Sequence, residues 1–279
     1  MQQDEQVLNR WTAAAASWEK HREIITRMFW PVTQALVEDA LITRDFSVLD
    51  IATGPGEPAL SIVPIVGPAG KVFGIDPIPE MVAAARRAAG RLGFHNTEFD
   101  VAFADRLPYQ DDTFDAVISR FGVMFFPSPF DGLREVLRVL KPGRKLSLAA
   151  WHFAEGNPFL SIIDRALAQY VDEPPLAPDA PDVYRFATPG KLQSVLAEAG
   201  ARAITERLLK FTIDEPMSLE DFWNLRYEMS ERIRNSLDTL SSEESGEVKR
   251  QSLEGLSEFF PTQGMRLPAQ VLIVSGEKP

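Results

Sequence analysis

The chain contains no cysteine and only three histidines among its 279 residues. Without cysteine, neither a disulfide framework nor a thiolate zinc site can form, and three scattered histidines argue against any metal site. Basic residues are also scarce, since 29 lysines and arginines accompany 40 acidic residues and give a formal charge of -11. Nucleic-acid affinity depends on clustered Lys and Arg, so this balance argues against a nucleic-acid partner and favours a small or neutral substrate.

Long apolar runs are missing as well. Pro64, Pro68 and Arg120 interrupt the most apolar regions, so no stretch is long enough to span a membrane. Residues 1–6 lack the basic and apolar parts of a signal peptide. We therefore expect a soluble, cytoplasmic protein and leave open whether it forms a homodimer.

Short apolar runs that alternate with amphipathic segments predict an α/β fold with right-handed βαβ crossovers. Five such runs lie at 48–52, 71–75, 97–103, 114–119 and 145–151, and amphipathic segments include 81–92 and 130–140. Two further runs, 203–213 and 269–275, would add edge strands. The predicted fold is a Rossmann-like, seven-stranded, mostly parallel sheet with helices on both faces.

The segments outside the five runs predict a helical segment before the sheet and a cap after it. Residues 5–43 have a helical pattern, as do 158–171 and 216–260, whereas the proline-rich segment 172–181 can only be a loop. The last helical segment falls between the two final strands. We expect an N-terminal helical segment (1–45), a ligand-binding core (46–152) and a C-terminal part (153–279) with a substrate cap at about 157–185 and 214–266.

A glycine pair follows the first apolar run. Gly54 and Gly56 allow unusual φ values and a close approach of backbone to ligand, and Pro58 suits a first helical turn. Asp76 lies 22 residues beyond Gly54. This is close to the spacing at which an acid at the end of the second strand accepts hydrogen bonds from ribose hydroxyls. The pattern predicts an adenosine-containing ligand. Gly54 to Ala59 also fits GxGxxA, which a nicotinamide-binding fold would satisfy.

Three further features argue against a nicotinamide-binding fold. Asp50 stands in an otherwise apolar strand end, where a buried acid needs partners. The segments 104–109 and 112–119 follow in order, and a helix ending at 137–146 leads straight into a strand. With these features, residues 48–151 resemble the class I S-adenosylmethionine-dependent methyltransferases, most closely their UbiE-like branch (methyltransferase type 11/25). Ala52 departs from the family pattern, which usually has its first glycine there.

The resemblance implies S-adenosylmethionine as cofactor and S-adenosylhomocysteine as product. It places a loop around the amino-acid part of the cofactor, an acid on the ribose, residues lining the adenine side and adenine edge, and a segment beside the sulfonium. The loop consists of Asp50, Ala52, Thr53, Gly54 and Gly56, and the acid on the ribose is Asp76. The adenine side is lined by Pro77, Ile78 and Met81, and the adenine edge by Ala104, Asp105 and Arg106. The segment beside the sulfonium contains Ser119, Arg120 and Phe121. Of these, Gly54, Gly56 and Asp76 also stand on spacing alone.

Candidate catalytic and substrate-binding residues follow the fourth and fifth strands, where open α/β sheets bind ligands. His152 is the candidate general base because imidazole titrates near neutrality, although a loop histidine more often bonds to a backbone carbonyl. Arg120 is the second candidate; it would orient an anionic group or pair with an acid such as Asp131. Trp151, Trp223 and Tyr227 would form an aromatic wall for a flat substrate, or belong to the core of the cap. Trp11, Trp18 and His21, in the N-terminal helices, would close over the cofactor.

The predicted function is methyl transfer to a small, aromatic or hydrophobic metabolite, with oxygen, nitrogen and carbon acceptors all open. A nucleic-acid methyltransferase is disfavoured by the charge and by the sequence from Ser119 to Gly122, because enzymes that methylate base amines have an Asn or Asp, two prolines and an aromatic residue there. The sequence Asn157-Pro158-Phe159 looks similar, but it follows the fifth strand and a proline at a helix start explains it. The alternatives are a non-catalytic S-adenosylmethionine-binding protein and a nicotinamide-dependent oxidoreductase. Residues 211–266 hold twelve acidic and six basic side chains. This excess predicts a solvated helix face or, less simply, discrimination against anionic substrates.

Overall fold

A seven-stranded mixed sheet organises the chain. The computed structural model describes residues 2–172, 177, 179–261 and 264–279. The strand order is β3-β2-β1-β4-β5-β7-β6. The strands are β1 Ser47–Ile51, β2 Lys71–Asp76, β3 Thr97–Val101, β4 Phe114–Arg120, β5 Leu140–Trp151, β6 Arg202–Glu215 and β7 Met265–Glu277.

All seven predicted strands form, but the last two are not both at an edge. Strands β1 to β5 pair in parallel, whereas β7 pairs antiparallel with both β5 and β6. Only β6 is therefore an edge strand on that side, and the prediction of an edge position for 269–275 is wrong. The apolar run marked the strand but carried no information about its neighbours, which the long β6–β7 ladder from Arg202↔Glu277 to Glu215↔Met265 decides.

Helices cover both faces of the sheet and fill the intervals between strands. They are α1 Gln2–Lys20, α2 Arg22–Met28, α3 Trp30–Asp39, α4 Ala59–Val66, α5 Pro79–Leu92, α6 Pro129–Val139, α7 Pro158–Leu167, α8 Lys191–Glu198, α9 Leu219–Met229, α10 Glu231–Asp238 and α11 Ser242–Leu256. Serine side chains cap the starts of α6, α9, α10 and α11. Within the predicted loop 172–181, residues 173–176 and 178 lie outside the described residues, and the others are neither helix nor strand.

The sheet and the cap have separate hydrophobic cores. One cluster spans the sheet and its covering helices. A smaller cluster joins α7, α9, α10 and α11 around Trp223. Asn157 connects β5 to β7 at the base of the cap: its Nδ2 donates to the carbonyls of His152, Phe153 and Gln270, and its Oδ1 accepts the Gln270 amide. The motif Asn157-Pro158-Phe159 thus begins α7, as predicted.

The described residues contain neither a membrane-spanning helix nor a cluster of metal-binding side chains. No helix among them is long and apolar enough to cross a membrane. No group of three or more His, Asp or Glu side chains in the same part of the chain could hold a metal ion.

Candidate functional site

The loop between β1 and α4 lies where the connections of the sheet reverse direction. From β1 the strand order runs to β2 and β3 on one side and to β4 and β5 on the other. Open α/β sheets bind ligands beyond the strand ends at such a point. Gly54 and Gly56 adopt left-handed φ values of 55° and 100°. A Cβ added at Gly56 would lie 2.8 Å from Leu60 Cδ1, so glycine allows the loop to pack on α4.

Asp50 ties this loop to the end of β1. Its Oδ2 accepts hydrogen bonds from Thr53 Oγ1 at 2.7 Å and from the Ala59 amide at 3.0 Å. The side chain is fully buried, and its Oδ1 has no partner among the described residues. Burial raises the pKa of Asp50 to about 7, against the lowering effect of these hydrogen bonds. The geometry gives Asp50 a loop-holding position beneath the predicted site.

Asp76 joins the glycine loop to the start of α5. Its Oδ2 accepts the Gly54 amide at 2.9 Å and its Oδ1 accepts the Ile78 amide at 3.0 Å. Burial raises the pKa of Asp76 to about 6, and the two backbone hydrogen bonds oppose that shift. A carboxylate has about four acceptor positions, so each oxygen retains one after these bonds. Gly54 and Asp76, two of the three positions predicted from spacing alone, are therefore in direct contact.

The carboxyl ends of β1 and β4 meet at Ala52 and Gly122. Ala52 has a left-handed φ of 58°, which explains why the family usually has glycine at this position. A Cβ added at Gly122 would lie only 2.4 Å from the Ala52 Cβ, so the absence of a side chain at Gly122 makes room for the methyl group. Ser119 Oγ donates to the Ile51 carbonyl at 2.9 Å and fixes the two strand ends together.

Arg120 lies buried beneath this junction. Its Nη1 donates to Thr33 Oγ1 at 2.9 Å. It has no ion pair with a described residue, and Asp131 instead bonds to Ser128 Oγ. The expected ion pair between Arg120 and Asp131 is therefore wrong, because Asp131 is hydrogen-bonded to Ser128, the residue that caps the start of α6. Burial lowers the pKa of Arg120, and the charges of Glu57 and Asp50 oppose that shift. Glu57 itself pairs with Arg22 at 2.7 Å.

The N-terminal helix covers the predicted adenine side. Ile78 and Met81 form a buried cluster with Ala15, and Trp11 and Trp18 pack against it. The two tryptophan rings meet edge to face at 5.5 Å. The ring of His21 instead contacts the cap, since its Nε2 lies 2.7 Å from Glu228 Oε2. Closing over the cofactor stays a prediction for these three side chains.

The loop after β3 brings the remaining predicted adenine residues to the same edge of the sheet. The Ala102 amide donates to the Asp76 carbonyl at 3.2 Å, and Ala104, half-buried, follows two residues later. Asp105 and Arg106 are exposed. Pro77 is half-buried beside Ile78. The structure thus gathers the predicted residues at one edge, and contact with an adenine stays a prediction.

Comparisons with known proteins agree with this geometry. Residues 48–143 match the family model described as "Methyltransferase domain". The ubiquinone/menaquinone biosynthesis C-methyltransferase UbiE of Methylobacterium nodulans is 32% identical over 184 residues, which cover 60% of this chain and 70% of that protein. The chain belongs to the UbiE-like family of class I S-adenosylmethionine-dependent methyltransferases.

Other relatives match over a shorter stretch. The demethylmenaquinone methyltransferase of Chlorobaculum parvum is 42% identical over 100 residues, which cover 36% of this chain and 39% of that protein. The chain thus spans about two-fifths of the length of the first curated relatives that it matches. The YcgJ protein of Bacillus subtilis has the same fold, with a TM-score of 0.58 and 20% identity over 89% of this chain and 98% of that one.

The residues present fit the cofactor of this family, S-adenosylmethionine, and the prediction of that cofactor is confirmed with the family. A Cβ added at Gly54 would meet nothing within 4 Å, so the loop faces open space next to the Asp76 carboxylate. Asp76 would hold the ribose hydroxyls there. Ile78 and Met81 offer the apolar surface that a purine requires.

An aromatic cluster lies beyond the ends of β4 and β5. Trp151, at the end of β5, stacks on Phe121 with centroids 4.5 Å apart and planes at 3°. Phe29 contacts Phe121, Trp151 and Phe159 edge to face at 5.4 to 5.6 Å. His152 is half-buried, its ring lies 4.5 Å from Phe153, and its amide donates to the Gln270 carbonyl.

The predicted aromatic wall of Trp151, Trp223 and Tyr227 does not form. Trp223 lies in the core of the cap, and its described ring contact is with Lys249 at 5.9 Å. Tyr227 is on the exposed face of α9. Phe29 and Phe159 surround Trp151 instead, and sequence reasoning missed both. A phenylalanine in the N-terminal helices carries no local signal of such contacts, whereas Phe159 in the sequence Asn157-Pro158-Phe159 could have been found from its position just after β5.

Two surface grooves lie away from this site. One, of about 460 Å³, is lined by Met217, Leu219 and Phe260, and the other, of about 440 Å³, by Ile162, Gln169 and Gln251. Neither contains a predicted cofactor residue. We assign the site to the strand ends because the family motifs meet there.

Proposed function

We propose that this chain transfers a methyl group from S-adenosylmethionine to a small acceptor by in-line displacement. The observation that carries the proposal is the bridge from Asp76 to the amides of Gly54 and Ile78 at the point where the sheet connections reverse. This bridge holds a carboxylate with free acceptor capacity beside a loop open to ligand. The bound cofactor supplies an electrophilic methyl group on a sulfonium.

The chain contributes positioning and exclusion of water, which can supply most of the acceleration of such a displacement. Asp50 and Asp76 fix the loop at both ends, and α1 covers Ile78 and Met81. Arg120 and His152 stay candidates for catalytic contacts. A general base at His152 is needed only for a hydroxyl, an acidic carbon or a protonated amine acceptor.

For the acceptor, we propose an aromatic or otherwise hydrophobic metabolite. The stacked rings of Phe121 and Trp151, with Phe29 and Phe159, supply apolar surface beyond β4 and β5. The relatives' names refer to quinone biosynthesis and to carbon methylation. The family model matches only residues 48–143, however, and the cap that would select the acceptor lies beyond them.

Calorimetry with S-adenosylhomocysteine tests the cofactor part of the proposal. The wild-type protein should bind it, and Asp76→Ala should weaken binding about 30- to 100-fold, because the ribose loses hydrogen bonds to a charged acceptor. Asp214→Ala removes an exposed acid and serves as the matched control. Affinity should also fall as the pH drops below about 6, where Asp76 takes up a proton.

Turnover tests the transfer itself. Incubation with S-adenosylmethionine and a panel of phenols, quinols and aromatic amines should release S-adenosylhomocysteine with at least one acceptor. A protein that binds NAD but not S-adenosylhomocysteine would contradict the proposal outright. Tight cofactor binding without turnover across the panel would contradict the aromatic acceptor.

A further inference from the structure

The cap contains a buried arginine without a polar partner. Arg226, on α9, is 9% exposed, and its Nε lacks a hydrogen-bond partner. Its side chain makes no hydrogen bond or ion pair with any residue that the structure describes; its guanidinium lies 4.7 Å from the centroid of the Phe159 ring. Burying a cation without compensating bonds is costly. By contrast, the equally buried Arg22 pairs with Glu57 at 2.7 Å.

No acid among the described residues pairs directly with Arg226, although the charge of Asp164 acts favourably on it. Asp164, Tyr184 and Arg232 are the groups whose charges act on it. Asp164 is already bound by Arg232, whose Nη1 lies 2.6 Å from Asp164 Oδ1. The buried hydroxyl of Tyr184 has no partner either. Burial raises the pKa of Tyr184, so its hydroxyl stays a protonated donor. Two buried donors without a hydrogen-bond partner among the described residues, one of them on a cation, therefore belong to the same region.

One aromatic ring separates this cation from the acceptor side of the sheet. Phe159, under the Arg226 guanidinium, stacks on Trp151 with centroids 6.3 Å apart and planes at 13°. Trp151 in turn stacks on Phe121, just beyond the end of β4. The rings thus form a continuous series of contacts from the strand ends to the cation.

We propose that Arg226 and Tyr184 bind an anionic group, a carboxylate above all, on the methyl acceptor, whose apolar part lies against Phe159 and Trp151. This inference rests on the proposed function and narrows its substrate class to aromatic acids. Of the two explanations of the acidic excess in residues 211–266, it agrees with the simpler one, a solvated helix face, and argues against discrimination against anionic substrates. The acids of α11, such as Glu243, Glu244 and Glu254, are exposed, whereas the unpaired cation is buried.

Binding of matched acids and amides to protein loaded with S-adenosylhomocysteine tests the inference. The probes are benzoate and benzamide, 2-naphthoate and 2-naphthamide, and cinnamate and cinnamamide, each pair alike in shape and different in charge. At least one acid should bind the wild-type protein tenfold or more tightly than its amide. Arg226→Met should bring the two within twofold, and Tyr184→Phe should weaken the acid three- to tenfold while leaving the amide unchanged. Arg250→Met, at an exposed arginine, should keep the wild-type preference.

Affinity for S-adenosylhomocysteine, measured first on every variant, separates this inference from the proposed function. If the wild-type protein does not bind S-adenosylhomocysteine, the proposed function fails and this inference with it. If it does and no acid is preferred over its amide, or Arg226→Met retains the preference, the inference alone is overturned. Should Arg226→Met fail to fold, Tyr184→Phe decides, because an unchanged preference in that variant also overturns the inference.

Discussion

Buried charges are treated differently at the strand ends and in the cap. At the strand ends, Asp50 and Asp76 accept four hydrogen bonds from the glycine loop and from the starts of α4 and α5. In the cap, Arg226 has an aromatic ring below it and no acceptor among the described residues. The fold itself supplies hydrogen bonds to both acids and leaves only Asp50 Oδ1 without a described partner, whereas the arginine receives none from the described residues.

This contrast separates a preorganised site from one completed by its ligand. A loop held by backbone hydrogen bonds keeps its geometry whether or not a ligand is bound, which suits a constant cofactor. An unpaired cation gains most from a ligand that brings its counter-charge, which suits selection among acceptors.

The largest expected effect is the pH dependence of stability caused by Asp50. Its pKa is about 7 in the folded protein against 3.8 as a free side chain, so the folded state binds more protons between these values. The free energy of unfolding should therefore fall as the pH rises from about 4 to 7. Asp50→Asn should abolish up to about 4 kcal/mol of that fall. Urea unfolding at pH 4.5 and pH 8 measures the difference.

Asp214→Asn is the control for Asp50→Asn, because Asp214 is exposed and its removal should leave the slope unchanged. Parallel profiles for Asp50→Asn and the wild-type protein would show that Asp50 is ionised in the folded state.

Asn157→Ala should lower the free energy of unfolding by about 3 kcal/mol. The variant removes a fully buried amide and leaves the carbonyls of His152 and Phe153 and both backbone groups of Gln270 without this partner. Asn224→Ala, on the exposed face of α9, should change stability by less than about 0.5 kcal/mol. Equal effects for the two variants would mean that Asn157 does not connect the cap to the sheet.

The sequence predicted more of the strand-end region than of the cap. Gly54 and Asp76 were predictable because one local spacing determines their contact. Trp223 was not, because a helical pattern defines an apolar face without identifying the helix that covers it. Arg226 carried one usable signal, since it lies four residues after Phe222 and three before Met229, on the apolar face of α9.

Gly122→Ala should cost about 2 kcal/mol, because the new methyl group would overlap that of Ala52 at 2.4 Å. Ala52→Gly should be stabilising by up to about 1 kcal/mol on its own, since it relieves a left-handed alanine. Ala52→Gly should stabilise the Gly122→Ala variant by at least about 0.5 kcal/mol more than it stabilises the wild-type protein. A double-mutant cycle by urea unfolding measures this coupling. If the two changes in the free energy of unfolding are strictly additive, the side chains at positions 52 and 122 do not interact.

The smallest expected effect distinguishes the two regions most sharply. Arg226→Met should stabilise the ligand-free protein by about 1 kcal/mol, because an apolar side chain of similar length replaces an unpaired buried cation. Arg22→Met should instead destabilise by about 3 kcal/mol, since it leaves Glu57 buried without its partner. A stabilised Arg226→Met variant that has also lost its preference for aromatic acids would mean that the arginine is retained for binding at a cost in stability. Thermal unfolding of both variants without ligand gives the sign, and destabilisation of both would place Arg226 among the structural arginines.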